Sequence, residues 1–442
     1  MRIDLPHPSE FAALHKFNVS ETISGISTDS RECQKGDLYI AIKGERLDGH
    51  QFVSNALEQG AVAALVNQEY STGSSQEIVV HDTIVALGDL ANQWRQQFDI
   101  PIIGITGSNG KTSTKDLVTH ALSKFQSVHA TQGNYNTSIG LPLTLLSMAK
   151  SSTIAILEMG ANQPGDIQTL CEIAEPTHGL ITNIAPAHLE GFGTIDSIAQ
   201  TKAALFDTLV NGISFVNAAD SRILELNVPN EKMTFGLTSD CDFPADIHHE
   251  EDGTITLTVD SQEIPTNSQN LSFSKNVIAA AALTVTLGLE WNHFKQAVLS
   301  FNPPQGRCQV RRSNGITIID DTYNANLEST EAAIDYLSAF SGNGRRMLVF
   351  GDMFELGSSS LDQHRKVGKK CVDAKLDVLF TVGPESAQTD LVASMLPLHQ
   401  HFDSKEELVE KLKNIIESGD HLLIKGSRGM AMETIVDKLV TT

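Results

Sequence analysis

Apolar positions along the chain fall into short, β-branched runs separated by stretches with the three-to-four spacing of an amphipathic helix. In the middle of the chain this pattern predicts strands at 101–106, 153–158, 179–184 and 213–217, and helices at 112–125, 195–209 and 275–288. Strand–helix alternation of this kind implies a mostly parallel sheet covered on both faces. It recurs after residue 310, with strands expected at 316–321, 346–351, 376–382 and 421–425 and helices at 328–339, 361–373, 404–416 and 430–440. Near the start, strands at 38–42 and 61–66 flank a helix at 51–59. Residues 218–272 are less regular; 254–259 alternates like an exposed strand and is expected in a sheet added to the central unit. Asn302-Pro303-Pro304-Gln305-Gly306 is the best linker candidate. The expectation is an α/β chain of three domains: a small α/β domain at 1–82, a central parallel-sheet domain at 83–310 and a Rossmann-like domain at 311–442.

One junction in this pattern carries chemistry. The run 100–105 ends in Gly104-Ile105-Thr106-Gly107-Ser108-Asn109-Gly110-Lys111-Thr112-Ser113, and a helical pattern follows. Strand, glycine-rich turn, lysine, hydroxyl and helix is the arrangement of a phosphate-binding loop, which marks the central domain as a P-loop mononucleotide-binding sheet. Glycines let backbone N–H groups approach phosphate oxygens, and the helix turns its positive end on them. Lys111 would reach the β/γ-phosphates and Thr112 would offer its hydroxyl to Mg²⁺. The general pattern has glycine where this chain has Ile105, and Gly104 stands one residue early.

Ligands of parallel sheets gather at the carboxyl ends of the strands. Glu158, Asn183 and His188 fall at or just after such ends. A carboxylate at a strand tip beside a phosphate loop is a natural Mg²⁺ ligand, which marks Glu158. Lys202 sits in the apolar stripe Ile195, Ile198, Lys202, Leu205, Leu209. An ammonium there must be paired, chemically altered or snorkelling. Arg307, Lys425 and Arg428 lie near glycine-rich turns and could neutralise a transferring phosphoryl group, and Asp320-Asp321 end a strand expected to face the same cleft. The third unit has no Gly-x-Gly-x-x-Gly after its first strand, so a dinucleotide site is not expected there.

The length of 442 residues accommodates three domains. A net charge of -22 speaks against a nucleic-acid partner, but not against a small anionic substrate held by local cations. Cysteines at 33, 171, 241, 308 and 371 form no Cys-x-x-Cys pair, so neither a zinc site nor a disulfide framework is indicated and a reducing cytoplasm is expected. The opening residues do not read as a signal peptide, and the apolar stretch at 277–289 is too short to span a bilayer. No membrane insertion is therefore the expectation, and a monomer is expected.

Several stretches together resemble the Mur ligase family, the ATP-dependent amide-bond formers of peptidoglycan assembly. They are DSR at 29–31 with KGDL at 35–38 and DGH at 48–50, TGSNGKTSTK at 106–115, QGNYNTSIGLPLTLL at 132–146 and LEMGANQPGDI at 157–167. NIAPAHLEGFG at 183–193, DDTYNANLES at 320–329, FGDMFELG at 350–357 and KGSRGMAME at 425–433 complete the set. The last four point, within the family, to the member that joins D-alanyl-D-alanine to a UDP-N-acetylmuramoyl tripeptide. The resemblance implies that the first domain holds the uridine end of that substrate, with Ser30 and Arg31 nearby, and that the second binds ATP. Gly107 to Ser113, Asn276, Arg307, Asp321 and Tyr323 would contact the nucleotide. Thr112 and Glu158 would hold one Mg²⁺, and His188 and Lys202 a second, with Lys202 carried as a carbamate. Lys111, His188, Lys202 and Arg307 would be catalytic. Asn134, Asn136 and Thr137 match the stretch at the substrate's reacting end, and Asn324, Asn326 and the 352–357 loop the face that receives the dipeptide. Lys275-Asn276 stands where the family often has His-Asn or His-Ser, and Ala279 and Leu327 also depart from its pattern. An open form without ligand and hinge motion at 302–312 are expected. The alternatives are a folylpolyglutamate-type ligase of the same superfamily and a nucleotide-dependent switch; a GTPase would carry Asn-Lys-x-Asp, which is absent.

Overall fold

The computed structural model describes every residue except 16, 18, 20, 45, 210, 341, 343, 441 and 442. Three sheets follow one another along the chain. The first is five-stranded, in sequence order, from Arg2–Asp4 and Gly25–Ser27 through Asp37–Ile40 and Ala63–Asn67 to Glu77–Val80. Only its first pair is antiparallel. The fully buried carboxylate of Asp37 pins the outer strand, accepting from Arg2 Nε at 2.7 Å and Nη2 at 3.0 Å. Besides an apolar cluster of its own around Tyr39, Ala56 and Val66, this unit shares a core with its neighbour. Ile26, Leu38 and Leu65 share one apolar cluster with Leu87 and Trp94 of the helix Thr83–Arg95 and with Leu157 and Leu205 of the central unit. That helix is the layer between the first two sheets, and Arg95 locks it by donating to the carbonyls of Ala174 at 2.8 Å and Glu175 at 3.0 Å.

The central sheet has nine strands. Val128–Ala130, Ile154–Glu158, Ile102–Thr106, His178–Ile181, Ile213–Asn217, Glu231–Gly236 and Phe243–His249 run parallel, and Ile255–Val259 and Gln262–Pro265 close the edge antiparallel. The irregular stretch is therefore a continuation of the same sheet, not a second one added to it. The strand expected at 179–184 stops at Ile181, because the next residues turn to bond the phosphate loop. Gly104 is no part of that loop. It lies inside the strand Ile102–Thr106, where a Cβ would stand 2.8 Å from Leu205 Cδ1 and 3.2 Å from Met159 Sδ. Its missing side chain lets the helix Ile195–Asp207 seat on the sheet, which brings Lys202 down against the core. On the other face the alanine run Ala279–Ala282 of the helix Leu271–Thr286 joins the core beneath Lys111–Leu122.

The third sheet has six strands in the order Gln309–Ser313, Ile316–Asp321, His421–Lys425, Arg346–Gly351, Val378–Val382 and Leu398–Phe402, antiparallel only at the first pair. Apolar clusters cover both of its faces. Among the described residues no helix is long and apolar enough to cross a membrane.

Candidate active site

The glycine-rich turn leaves the strand Ile102–Thr106 in a conformation only glycine takes easily. Gly107 has φ +148 and Gly110 φ +81. A Cβ on Gly107 would lie 1.9 Å from Thr182 Oγ1, and one on Gly110 2.5 Å from Asn276 Oδ1. The turn is held from the neighbouring strand end: Ser108 N donates to Asn183 O at 3.0 Å, Asn109 N to Asn183 Oδ1 at 2.8 Å, and Thr182 Oγ1 to Asn109 O at 2.6 Å. Gly110 then opens the helix Lys111–Leu122, so free N–H groups and the positive helix end face the cleft. Lys111 folds back over the turn, donating to Gly107 O at 2.8 Å. Burial pushes its pKa down, Glu158 opposes this, and the charge of Arg307 adds to it.

Glu158 ends its strand almost fully buried. Its Oε1 accepts from Asn136 Nδ2 at 2.7 Å, while Oε2 is buried without a partner among the described residues. A desolvated carboxylate oxygen facing nothing is costly, and a cation beside it removes the cost. Lys202 poses the converse case. It is 3% exposed, and among the described residues no hydrogen bond or ion pair reaches its ammonium. Burial drives its pKa well below the usual lysine range, and the charge of Lys111 acts in the same direction. A neutral amine is the form such a site favours.

The third sheet closes on this turn. Arg307 Nη2 donates to Thr112 Oγ1 at 3.1 Å, and its guanidinium lies 3.9 Å from the Tyr323 ring centre. Asn326 Nδ2 donates to Asn109 Oδ1 at 2.8 Å. Glu328 Oε2 accepts from Asn109 Nδ2 at 2.6 Å and from Asn183 Nδ2 at 3.0 Å. Asp321 pairs with the buried Lys425 and accepts from Cys308 N at 3.1 Å, while Lys425 also donates to Asn324 O at 3.0 Å. The arrangement is docked rather than the open one expected. Polar groups of the third unit satisfy the turn's side chains directly.

The result is a cleft of about 1170 Å³ lined by the turn and helix start from Ser108 to Ser113, by Asn134, Asn136, Thr137, Glu158, His188 and Asn276, and by Arg307, Asp321, Tyr323, Asn324 and Asn326. Gly107 and Lys202 lie behind this wall and do not line it. Ser30 and Arg31 are elsewhere: Ser30 is buried, and Arg31 is exposed and paired with Asp29 at 2.6 Å beside a smaller hollow that Tyr135 also lines. Glu328, Glu355, Thr182 and the side-chain role of Asn183 were not anticipated. The sequence signal for Glu328, Glu355 and Asn183 is membership of the quoted stretches, and Thr182 has only its place near the end of an expected strand.

The donor set suits a nucleotide-bound magnesium ion better than a cage made by the protein alone. Among the described residues no cluster of three His, Cys, Asp or Glu side chains could hold a metal. Thr112, Glu158 and His188 line one cleft next to a phosphate turn. Mg²⁺ is commonly bound in this way, through one or two protein oxygens plus phosphates and water.

Comparison with known proteins decides the family. Residues 22–95 match the Mur ligase family catalytic domain, 105–284 the Mur ligase middle domain and 306–428 the Mur ligase glutamate ligase domain. A Synechocystis sp. protein named UDP-N-acetylmuramoyl-tripeptide–D-alanyl-D-alanine ligase is 35% identical over 98% of this chain and 95% of its own length. The chain belongs to the Mur ligase family. Among solved structures, MurF from Acinetobacter baumannii superposes with a TM-score of 0.88 at 29% identity, covering 100% of this chain and 99% of that one. MurF ligase from Thermotoga maritima, solved in complex with ADP, gives 0.83 at 31% identity over 94% and 97%. As a Mur ligase the chain is an enzyme of the ligase class, and its three matched segments fall one on each sheet.

Proposed function

We propose that this Mur ligase joins D-alanyl-D-alanine to the terminal carboxyl of a UDP-N-acetylmuramoyl tripeptide at the expense of ATP, giving the UDP-linked pentapeptide used in peptidoglycan synthesis. The observation that carries this reading is the convergence of the glycine-rich turn, the Glu158 carboxylate with its open Oε2 and Arg307 of the interdomain linker on one cleft. The name of the Synechocystis relative and the ADP bound to the Thermotoga protein support it. The folylpolyglutamate and switch readings have no comparable support.

The turn's N–H groups, Lys111 and the end of the helix Lys111–Leu122 hold the triphosphate. The tripeptide carboxylate, placed by Asn134, Asn136 and Thr137, attacks the γ-phosphorus; the bond to the bridging oxygen breaks, and ADP leaves an acyl phosphate. The dipeptide amine, received by Asn324, Asn326 and the 352–357 loop, then attacks the carbonyl carbon. The amine loses its proton, and inorganic phosphate departs. Lys111 and Arg307 face the charge that spreads over the transferring group. Asn276, Asp321 and Tyr323 complete the nucleotide site, and Ser30 and Arg31 of domain 1–82 hold the uridine end. Bound magnesium, one ion held by Thr112 and Glu158 and a second by His188 and a Lys202 carbamate, would supply further charge neutralisation on the phosphates. The neutral amine that burial imposes on Lys202 is the form that takes up CO₂. Docking of domain 311–442 on domain 83–310, about a hinge at 302–312, excludes water while the acyl phosphate exists. The enzyme acts as a cytoplasmic monomer, in keeping with its five free cysteines.

A phosphate-release assay over a panel of acceptors and amines tests the proposal, with Lys111→Ala as control. Release only when UDP-tripeptide and D-alanyl-D-alanine are both present is the expected result. Release with neither, or only with glutamate as the amine, would refute it.

A further inference from the structure

One interdomain contact, between His188 and Glu355, is not accounted for by the mechanism above. His188 opens the short helix Leu189–Phe192 of the central unit, and its Nδ1 meets the carboxylate of Glu355, in the loop that follows the strand Arg346–Gly351. Both residues stand in the left-handed backbone region, His188 with φ +51 and Glu355 with φ +62. For residues other than glycine this costs on the order of 1–3 kcal/mol each and persists only where surrounding structure imposes it. Here it does. Phe354 N donates to Ser427 Oγ at 2.8 Å, Met353 N to His364 Nε2 at 3.0 Å, and Ser386 N to Asp352 Oδ1 at 2.7 Å, which fixes the loop within the third unit. Glu190 N then donates to Glu355 O at 3.1 Å, which fixes it against the central unit.

An ionised carboxylate can only accept, so Nδ1 of His188 carries the proton, and in the neutral imidazole Nε2 keeps its lone pair. His188 lines the phosphate cleft, whereas Glu355 is absent from its walls. A histidine bonded through one nitrogen to a carboxylate, with the other left free, is the usual arrangement of a metal-ligating imidazole and its supporting group. We propose that Glu355 is the positioning residue for His188: it sets the tautomer and ring plane that offer Nε2 to a divalent cation, so that this cation site is complete only when the third domain is docked. This rests on the reading of His188 as a ligand of the nucleotide-bound metal. It adds that the ligand's orientation comes from a different domain.

The test is Mn²⁺ titration of the full chain in the presence of ADP, with free Mn²⁺ read by electron paramagnetic resonance, on wild type, His188→Ala, Glu355→Ala and Glu355→Gln. The Glu355 carboxylate is half exposed, and thermal melts verify folding of each variant. Wild type is expected to show one class of Mn²⁺ that His188→Ala abolishes. Glu355→Ala should weaken that class about 10–100-fold and leave the other unchanged. Glu355→Gln, whose amide oxygen still accepts from Nδ1, should keep most of the affinity. Wild-type binding in Glu355→Ala would overturn the proposal, and so would equal losses in the Ala and Gln variants. If wild type has no His188-dependent class, the proposal also falls. Phosphate release that still depends on both peptide substrates would then show that the ligase reading survives without it.

Discussion

Replacing Lys202 by methionine separates two demands on that side chain. In the free protein Lys202 is a buried amine, 3% exposed, with no partner among the described residues and with burial driving its pKa well down. Methionine fills nearly the same volume among Ile198, Leu205 and the other apolar residues of the stripe. Replacing a buried polar group that lacks a hydrogen bond by an apolar one of similar shape removes a penalty of about 1–3 kcal/mol. One kcal/mol shifts the melting temperature of a domain of 150–250 residues by roughly 2–4 °C. The variant should therefore melt several degrees higher than wild type when both are measured without nucleotide in CO₂-free buffer. Its turnover should fall about 10²–10³-fold, the loss that follows removal of one preorganised electrostatic group. Differential scanning calorimetry and phosphate release at saturating substrates read the two effects. A variant that melts below wild type would show that Lys202 has a stabilising partner. One that keeps its phosphate release within tenfold would show that the lysine takes no part in the reaction. Either result refutes the reasoning.

Gly107→Ala places a Cβ 1.9 Å from Thr182 Oγ1 at a φ of +148, so overpacking and backbone strain together should cost about 2–5 kcal/mol. Nucleotide affinity, measured by calorimetry with ADP, should fall at least 30-fold, and Thr182→Ala in the same chain should restore part of it. Asn109→Ala removes the bonds to Glu328 at 2.6 Å and Asn326 at 2.8 Å, and small-angle scattering should show a more open particle with about tenfold weaker ATP use. The His15 ring lies 4.3 Å from that of Phe11 and 5.7 Å from that of Phe17, and burial lowers its pKa to about 4. The unfolded chain takes up this proton below about pH 6.5, so stability is fully present above that pH and declines as pH falls towards about 4. The decline is at most about 3 kcal/mol, and His15→Leu should remove it in urea titrations compared at pH 7 and pH 4.

Much of this molecule is readable from local pattern. The apolar runs at 102–106, 154–158 and 213–217 are too β-branched and too short to be helices, and the turn after the first carries its own chemistry. Lys202 announced itself as a charge in an apolar stripe, and its burial follows from helix periodicity. Edge strands were less legible. Gln309–Ser313 and Leu398–Phe402 carry Arg, His and Gln because one side of each pairs with nothing, so periodicity does not mark them. The strands from Glu231 to His249 mix exposed with buried positions, so no clear period marks them. Least legible was the docking of the third unit. Asn109 and His188 carry a signal of their own, but Glu328 and Glu355, far from them in sequence, read alone as ordinary solvated side chains. Only the fold pairs them.

The central claim is that the substrate carboxylate takes the γ-phosphoryl group before the amine displaces it. UDP-tripeptide labelled with ¹⁸O in its terminal carboxylate tests this directly, with the released phosphate analysed by mass spectrometry after one turnover with ATP and D-alanyl-D-alanine. The account predicts one ¹⁸O atom in each inorganic phosphate, carried over from the carboxylate oxygen through the acyl phosphate. Phosphate free of ¹⁸O, alongside normal formation of the peptide bond, would contradict it.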